Sequence, residues 1–251
     1  MMIWKYMIKD RYESMRKNDD LVAVKKVALD LLEMEVKPTE IQHLVDHPIF
    51  ENQIYTIFPN GPMDFANMKP VDLLSSEGLK EAKADKAKEI EDCADVGSVS
   101  YIIRKAYRLQ FLSMIKDFLS QKTFSEELAD IWVNGESPNA DLIVSTDTLL
   151  EWFHIADKDV IMNEEELNVY KGLPDKVQVY RGVGEKSNPY GLSWTLSLEQ
   201  ARWFADRYSM LGAKGYVLIA TAKKEDILAY FETEKEVIVD VSKLDVKRLE
   251  N

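Results

Sequence analysis

The chain is expected to form an α+β fold, helical at the front and strand-rich at the back. Three observations lead there. From Leu21 to Lys171, apolar residues recur at helical spacing in segments opened by capping residues. After Pro174 the pattern changes to strand-like alternation. A core is affordable, because 251 residues with 46% hydrophobic and 30% charged side chains can bury apolar surface without staples.

The elements follow in order. Leu21–Leu32 (LVAVKKVALDLL) reads as a helix that ends before Lys37-Pro38, since the residue before a proline is disfavoured in the α region. Thr39-Glu40-Ile41-Gln42 has a capping-box pattern and predicts a short helix reaching His47. Pro48, Pro59, Gly61, Pro62 and Pro70 predict a loop-rich stretch. Residues 77–92 suit a solvated helix. From Ser98, SVSYIIRKAYRLQFLSMIKDFL is apolar around most of its circumference and predicts a buried helix. Thr123, Ser145 or Thr146, and Asn163 are candidate caps for the next three helices, the last closed by Gly172 and Pro174. Strands are predicted at 177–183, 191–195, 216–222 and 236–240, with a helix capped by Ser197 between the second and third. The expected division is a helical region, 1–97, of unassigned role, then an α+β domain, 98–251, with helices at 98–172 and a β-core at 177–251.

Charge and cysteine content narrow the function classes. The net charge is −12; residues 177–251 carry 11 basic and 11 acidic side chains, so the whole excess lies in 1–176. Such a chain lacks the basic stripe of a nucleic-acid binder, so a basic protein or a small ligand is the expected partner. Cys93 is the one cysteine, which excludes an intramolecular disulfide and predicts a reducing, cytoplasmic compartment. No apolar stretch approaches the ~18 residues of a membrane span, and Lys5, Lys9 and Asp10 interrupt the opening residues, so neither membrane insertion nor a secretory signal is expected.

Three short features occur in order on the predicted strands: Tyr180-Arg181-Gly182, Ser193-Trp194-Thr195 and Glu234-Lys235-Glu236. Singly, each has an ordinary explanation as a surface ion pair, an edge hydroxyl pair or a solvated charge run. Their joint order is what carries information.

With VYRG (179–182), GLSWTLSLEQARWFA (191–205) and AYFETEKEVIV (229–239), the last 75 or so residues resemble the mono-ADP-ribosyltransferases of the Arg–Ser–Glu class, the bacterial toxin and phage types. Ser193, Leu196, Ser197, Ala201, Phe204 and Ala205 stand in register with that family's pattern, while Trp194 and Thr195 depart from its Ser-Thr-Ser triplet. The resemblance implies a mixed, mainly antiparallel core around an NAD cleft, with NAD as substrate and no metal. It implies transfer of ADP-ribose to a protein side chain, arginine foremost, with slow NAD hydrolysis. Glu236 would hold the ribose, Ser193 would orient Glu236, and Glu234 would face the acceptor. Arg181, Gly182, Thr195 and Phe204 would bind NAD, and Tyr230 and Phe231 would sit on a turn that meets the target protein. Helices from about residue 98 would supply the other face of the cleft.

These residue types suit the chemistry. Breaking the nicotinamide–ribose bond builds positive charge on the ribose ring, as in glycoside hydrolysis, so a fixed carboxylate stabilises the transition state more than the ground state. A guanidinium offers several fixed donors to a diphosphate. A glycine admits close approach to the backbone. Trp194, in mid-triplet, would point to the opposite strand face from Ser193 and Thr195 and so be a packing residue. A second reading keeps the transferase fold without catalysis, as a protein-interaction module, and a third directs the same chemistry to RNA or a small molecule.

Other features are read structurally. His43, Asp46 and His47 resemble a metal pair, but no third ligand lies nearby, and a helix-end role for the histidine is expected. Trp132, Trp152 and Phe153 are assigned to the core, and Cys93 lies among acids that disfavour its thiolate.

Overall fold

A computed structural model of the chain describes residues 16–61, 64–135, 143–184, 188–207 and 215–250. It contains both α and β structure, and its contacts divide the chain into two compact units, Arg16–Thr123 and Phe124–Asn251. The division falls between Thr123 and Phe124, later than the change of character at residues 97–98. The physical reason is local packing: the segments after Val96 pack against the first helix of their own unit.

In the unit Arg16–Thr123, helix α1 (Leu21–Leu32) is capped by the Asp20 carboxylate, which accepts from the Ala23 amide at 3.1 Å. Val24, Ala28 and Leu32, each four residues apart, form its buried stripe. The helix expected after Thr39 does not form. The Thr39 hydroxyl instead donates to the carbonyls of Ile41 and Leu44, and His43 adopts φ +68. Strands β1 (Lys37–Pro38) and β2 (Val45–Asp46) pair antiparallel around that turn. His47 is therefore no helix-end residue. It is 1% exposed, its Nδ1 accepts from the Ile49 and Phe50 amides, and burial lowers its pKa to about 4.

The stretch expected to be loop-rich contains a second ribbon, β3 (Ile54–Ile57) against β4 (Lys69–Asp72). Pro38 in the first ribbon and Pro70 in the second are tolerated because two-stranded ribbons consist only of edges. Helix α2 (Ser76–Asp92) is capped by Ser75 and buries Gly78, Ala82 and Ile90. The single helix expected from Ser98 is two, α3 (Val96–Ile102) and α4 (Arg108–Ile115). Arginine side chains occupy the break: Arg108 Nε donates to Ile103 O at 3.0 Å, and Arg104 Nη1 donates to His47 O at 3.0 Å.

Helix α5 (Gln121–Asn134) begins earlier than its predicted Thr123 cap, because Ser120 Oγ accepts from the Thr123 amide. In the unit Phe124–Asn251 the caps at Ser145 and Asn163 are as predicted. They open α6 (Thr146–Ile155) and α8 (Glu164–Gly172), the latter with both halves of a capping box and with α7 (Lys158–Ile161) between them. The sheet comprises β5 (Lys176–Val183), β6 (Ser193–Thr195), β7 (Tyr216–Lys223), β8 (Ile227–Phe231), β9 (Glu236–Val239) and β10 (Lys247–Arg248). Its order is β10-β7-β5-β6-β9-β8, and every described pair is antiparallel rather than mixed.

Helix α9 (Leu198–Asp206), between β6 and β7, packs on β5 and β7. Ala201 and Ala205 meet Val217, with Tyr180 against the same cluster. Beyond the other end of the sheet order, α6, α7 and α8 pack on β8, and β8 and β9 are buried at every position. Strand β8 takes in Tyr230 and Phe231, which the resemblance places on a turn. Among the described residues, no helix is long and apolar enough to cross a membrane.

Candidate active site

The sheet is weakest where the three motifs meet. β5 and β7 share eight register pairs, but β5 and β6 share a single described one, Tyr180 with Thr195. Arg181 lies on one side of that junction, and Ser193 and Thr195 lie on the other. β9 then pairs with β6, placing Glu236 opposite Thr195. Arg181, Ser193 and Glu236 thus stand on three neighbouring strands, although 55 positions separate the first from the last.

Glu236 begins a strand whose other members are Val237, Ile238 and Val239, all buried. It is 9% exposed. Its Oε1 accepts from Trp132 Nε1 at 3.1 Å. Burial raises its pKa to about 7, with Glu234 adding to the rise; hydrogen bonds from Ser193 and Trp132 and the charge of Arg181 oppose it. A buried carboxylate with a raised pKa beside a cation is a functional-site candidate.

Arg181 is half-buried. Burial lowers its pKa to about 10, and Glu236 opposes the fall, so it remains a cation at neutral pH. Both ions are shifted towards neutrality, which means desolvation outweighs their mutual attraction. The guanidinium is aimed by its Nη atoms, one donating to Ser193 O and the other to Asn188 O at 2.9 Å. Its Nε is buried and has no hydrogen-bond partner among the described residues. A buried donor left unpaired is costly, and an anionic group would satisfy it.

The remaining predicted residues divide. The Thr195 hydroxyl, a NAD-binding group by the resemblance, is engaged with the turn: it donates to Glu234 O at 2.9 Å and accepts from the Ser197 amide at 3.1 Å. Gly182 is required by the packing of α9, since a Cβ there would lie 2.6 Å from Ala205 N and from Phe204 Cβ. Phe204 is half-buried on α9 and meets Trp203 edge-on at 5.0 Å.

Tyr230 and Phe231 are not on an exposed turn. They belong to β8 and are 3% and 2% exposed, because β8 is a buried strand; only the Tyr230 hydroxyl reaches outward, to Glu232. Glu234 lies on a 3-10 turn, Glu232–Glu234, followed by Lys235 at φ +48, so Glu234 and Glu236 do not share one extended segment. Glu234 is half-buried, with its pKa raised by burial and lowered by Arg207. Trp194 is 1% exposed and donates to Gly191 O at 3.2 Å, as a packing residue does.

Trp132 is the residue that sequence reasoning missed. It had every mark of a core aromatic, and 104 positions separate it from Glu236. Its polar N–H was the only available signal, because a buried indole usually finds a partner.

The chain matches no family model, no curated protein and no solved structure. The chemistry of the site therefore rests on its own geometry.

Proposed function

We propose that the unit Phe124–Asn251 cleaves NAD and transfers ADP-ribose to a protein side chain, with arginine as the acceptor. The observation that carries this reading is the placing of Arg181, Ser193 and Glu236 on the neighbouring strands β5, β6 and β9, with Glu236 buried and hydrogen-bonded. The Arg181 Nε, unpaired among the described residues, is a donor suited to the diphosphate. Glu236, as carboxylate, stabilises the positive charge that grows on the ribose as the bond to nicotinamide breaks. Nicotinamide leaves with the bonding electron pair. A guanidine nitrogen of the acceptor then forms the new bond to the anomeric carbon and loses a proton. Glu234, half-buried and two residues from Glu236, is the base that receives it. Water in place of the acceptor gives slow hydrolysis.

Charge supports a basic partner. Residues 124–176, in the same unit, contain 13 acidic and 3 basic side chains, a net of −10. The test is nicotinamide release from NAD by the purified chain, with and without a small guanidine or a cell lysate as acceptor source. Release stimulated by the guanidine is the expected result. No release under any of these conditions between pH 6 and 9 would leave the interaction-module reading in its place.

A further inference from the structure

The donor that meets Glu236 Oε1 comes from outside the sheet. Trp132 lies on α5, is 3% exposed, and sets its ring edge-on to Phe153 at 4.9 Å and 88°. The indole is thus fixed by packing before it makes its hydrogen bond. We infer that Trp132 is a positioning residue for Glu236, whose N–H claims Oε1 as an acceptor and favours the ionised form against the effect of burial. The inference deepens the NAD-cleavage reading and rests on it.

An indole N–H donates and cannot accept. It therefore bonds best to a carboxylate oxygen, and a proton added to Glu236 belongs on Oε2. The other groups facing Glu236 are Ser193 on β6, whose side chain favours the ionised form, Arg181 on β5, whose charge favours it too, and Glu234 on the preceding turn, whose charge disfavours it. Burial is the largest influence and favours the neutral acid. Trp132 and Ser193 are the hydrogen-bonding groups that oppose it, and of the two only Trp132 is locked by an aromatic neighbour.

Trp132→Phe keeps a ring against Phe153 and deletes only the N–H and part of the indole. Removing a donor to the ionised form should move the acid limb of kcat/KM for NAD upward by about one pH unit. Turnover should recover above the new limb, with KM little changed. A purely structural tryptophan would lower activity at every pH without moving the midpoint.

A second measurement needs no turnover and no Trp132 variant beyond assignment. The Trp132 indole N–H resonance should titrate with a midpoint near 7 in the wild-type chain and stay constant in Glu236→Gln. An indole resonance that does not titrate, or an unmoved acid limb in folded Trp132→Phe, overturns the proposal. Should wild-type protein release no nicotinamide, the NAD reading fails, while a titrating indole leaves the coupling of Trp132 to Glu236 in force.

Discussion

Gly182 and Ala201 interlock because Gly182 has no side chain. A Cβ on Gly182 would fall inside contact distance of Ala201 O, with Ala205 N and Phe204 Cβ both at 2.6 Å. Two of these atoms belong to the α9 backbone and cannot swing aside. The contact sets α9 against β5 next to Arg181, so the packing of one helix and the aim of one guanidinium are linked.

Gly182→Ala should therefore lower stability by at least ~1–3 kcal/mol, the usual cost of overpacking. It should also reduce NAD turnover by displacing α9 from β5. Thermal melts and turnover on the same preparation check this, and a wild-type melting temperature would refute the contact.

Glu236→Gln should lower NAD turnover by about a hundredfold to a thousandfold, the typical effect of losing one preorganised electrostatic group. The same change should stabilise the fold at alkaline pH. The folded chain holds the Glu236 proton up to about pH 7, against 4.5 for the free group. Stability therefore declines as pH rises through that window, and above it the whole cost is present, up to about 3 kcal/mol. Urea melts should show Glu236→Gln more stable than wild type at pH 8, with the gap closing towards pH 4.5. A constant gap would deny the raised ionisation.

Arg181→Lys should weaken NAD binding by about tenfold or more, because an ammonium cannot reach Ser193 O, Asn188 O and an anion together. Calorimetry decides it. An unchanged Kd would place the diphosphate elsewhere.

Glu234→Gln should separate two activities. Transfer to a guanidine should fall strongly, since an arginine side chain with a pKa above ~12 needs a base, while hydrolysis of NAD persists. Equal loss of both would make Glu234 part of the NAD site, and loss of neither would return it to the solvated surface.

Local rules carried much of the fold. Ser145, Asn163 and Ser197 cap the helices they were assigned to, and β5, β6, β7 and β9 lie where alternation and β-branched residues placed them. The failures were also local in cause. The hydroxyl of Thr39 turned to carbonyls inside a tight turn, so a capping pattern opened no helix. Alternation does not reveal strand β8, because a strand buried on both faces does not alternate.

What the sequence alone determined was most of the helices, the strands β5, β6, β7 and β9, and the order Arg181, Ser193, Glu236 along those strands, since periods of 2 and 3.6 residues and capping are written within a few positions. Only the tertiary structure decided that β6 pairs with β9, that Thr195 braces the turn at Glu234, and that Trp132 reaches Glu236. It also decided the ionisation of Glu236, because that depends on how much water the packed helices and strands exclude from one carboxylate. Solvent exclusion is the sum of contacts from residues far apart in the chain, and no short pattern encodes it.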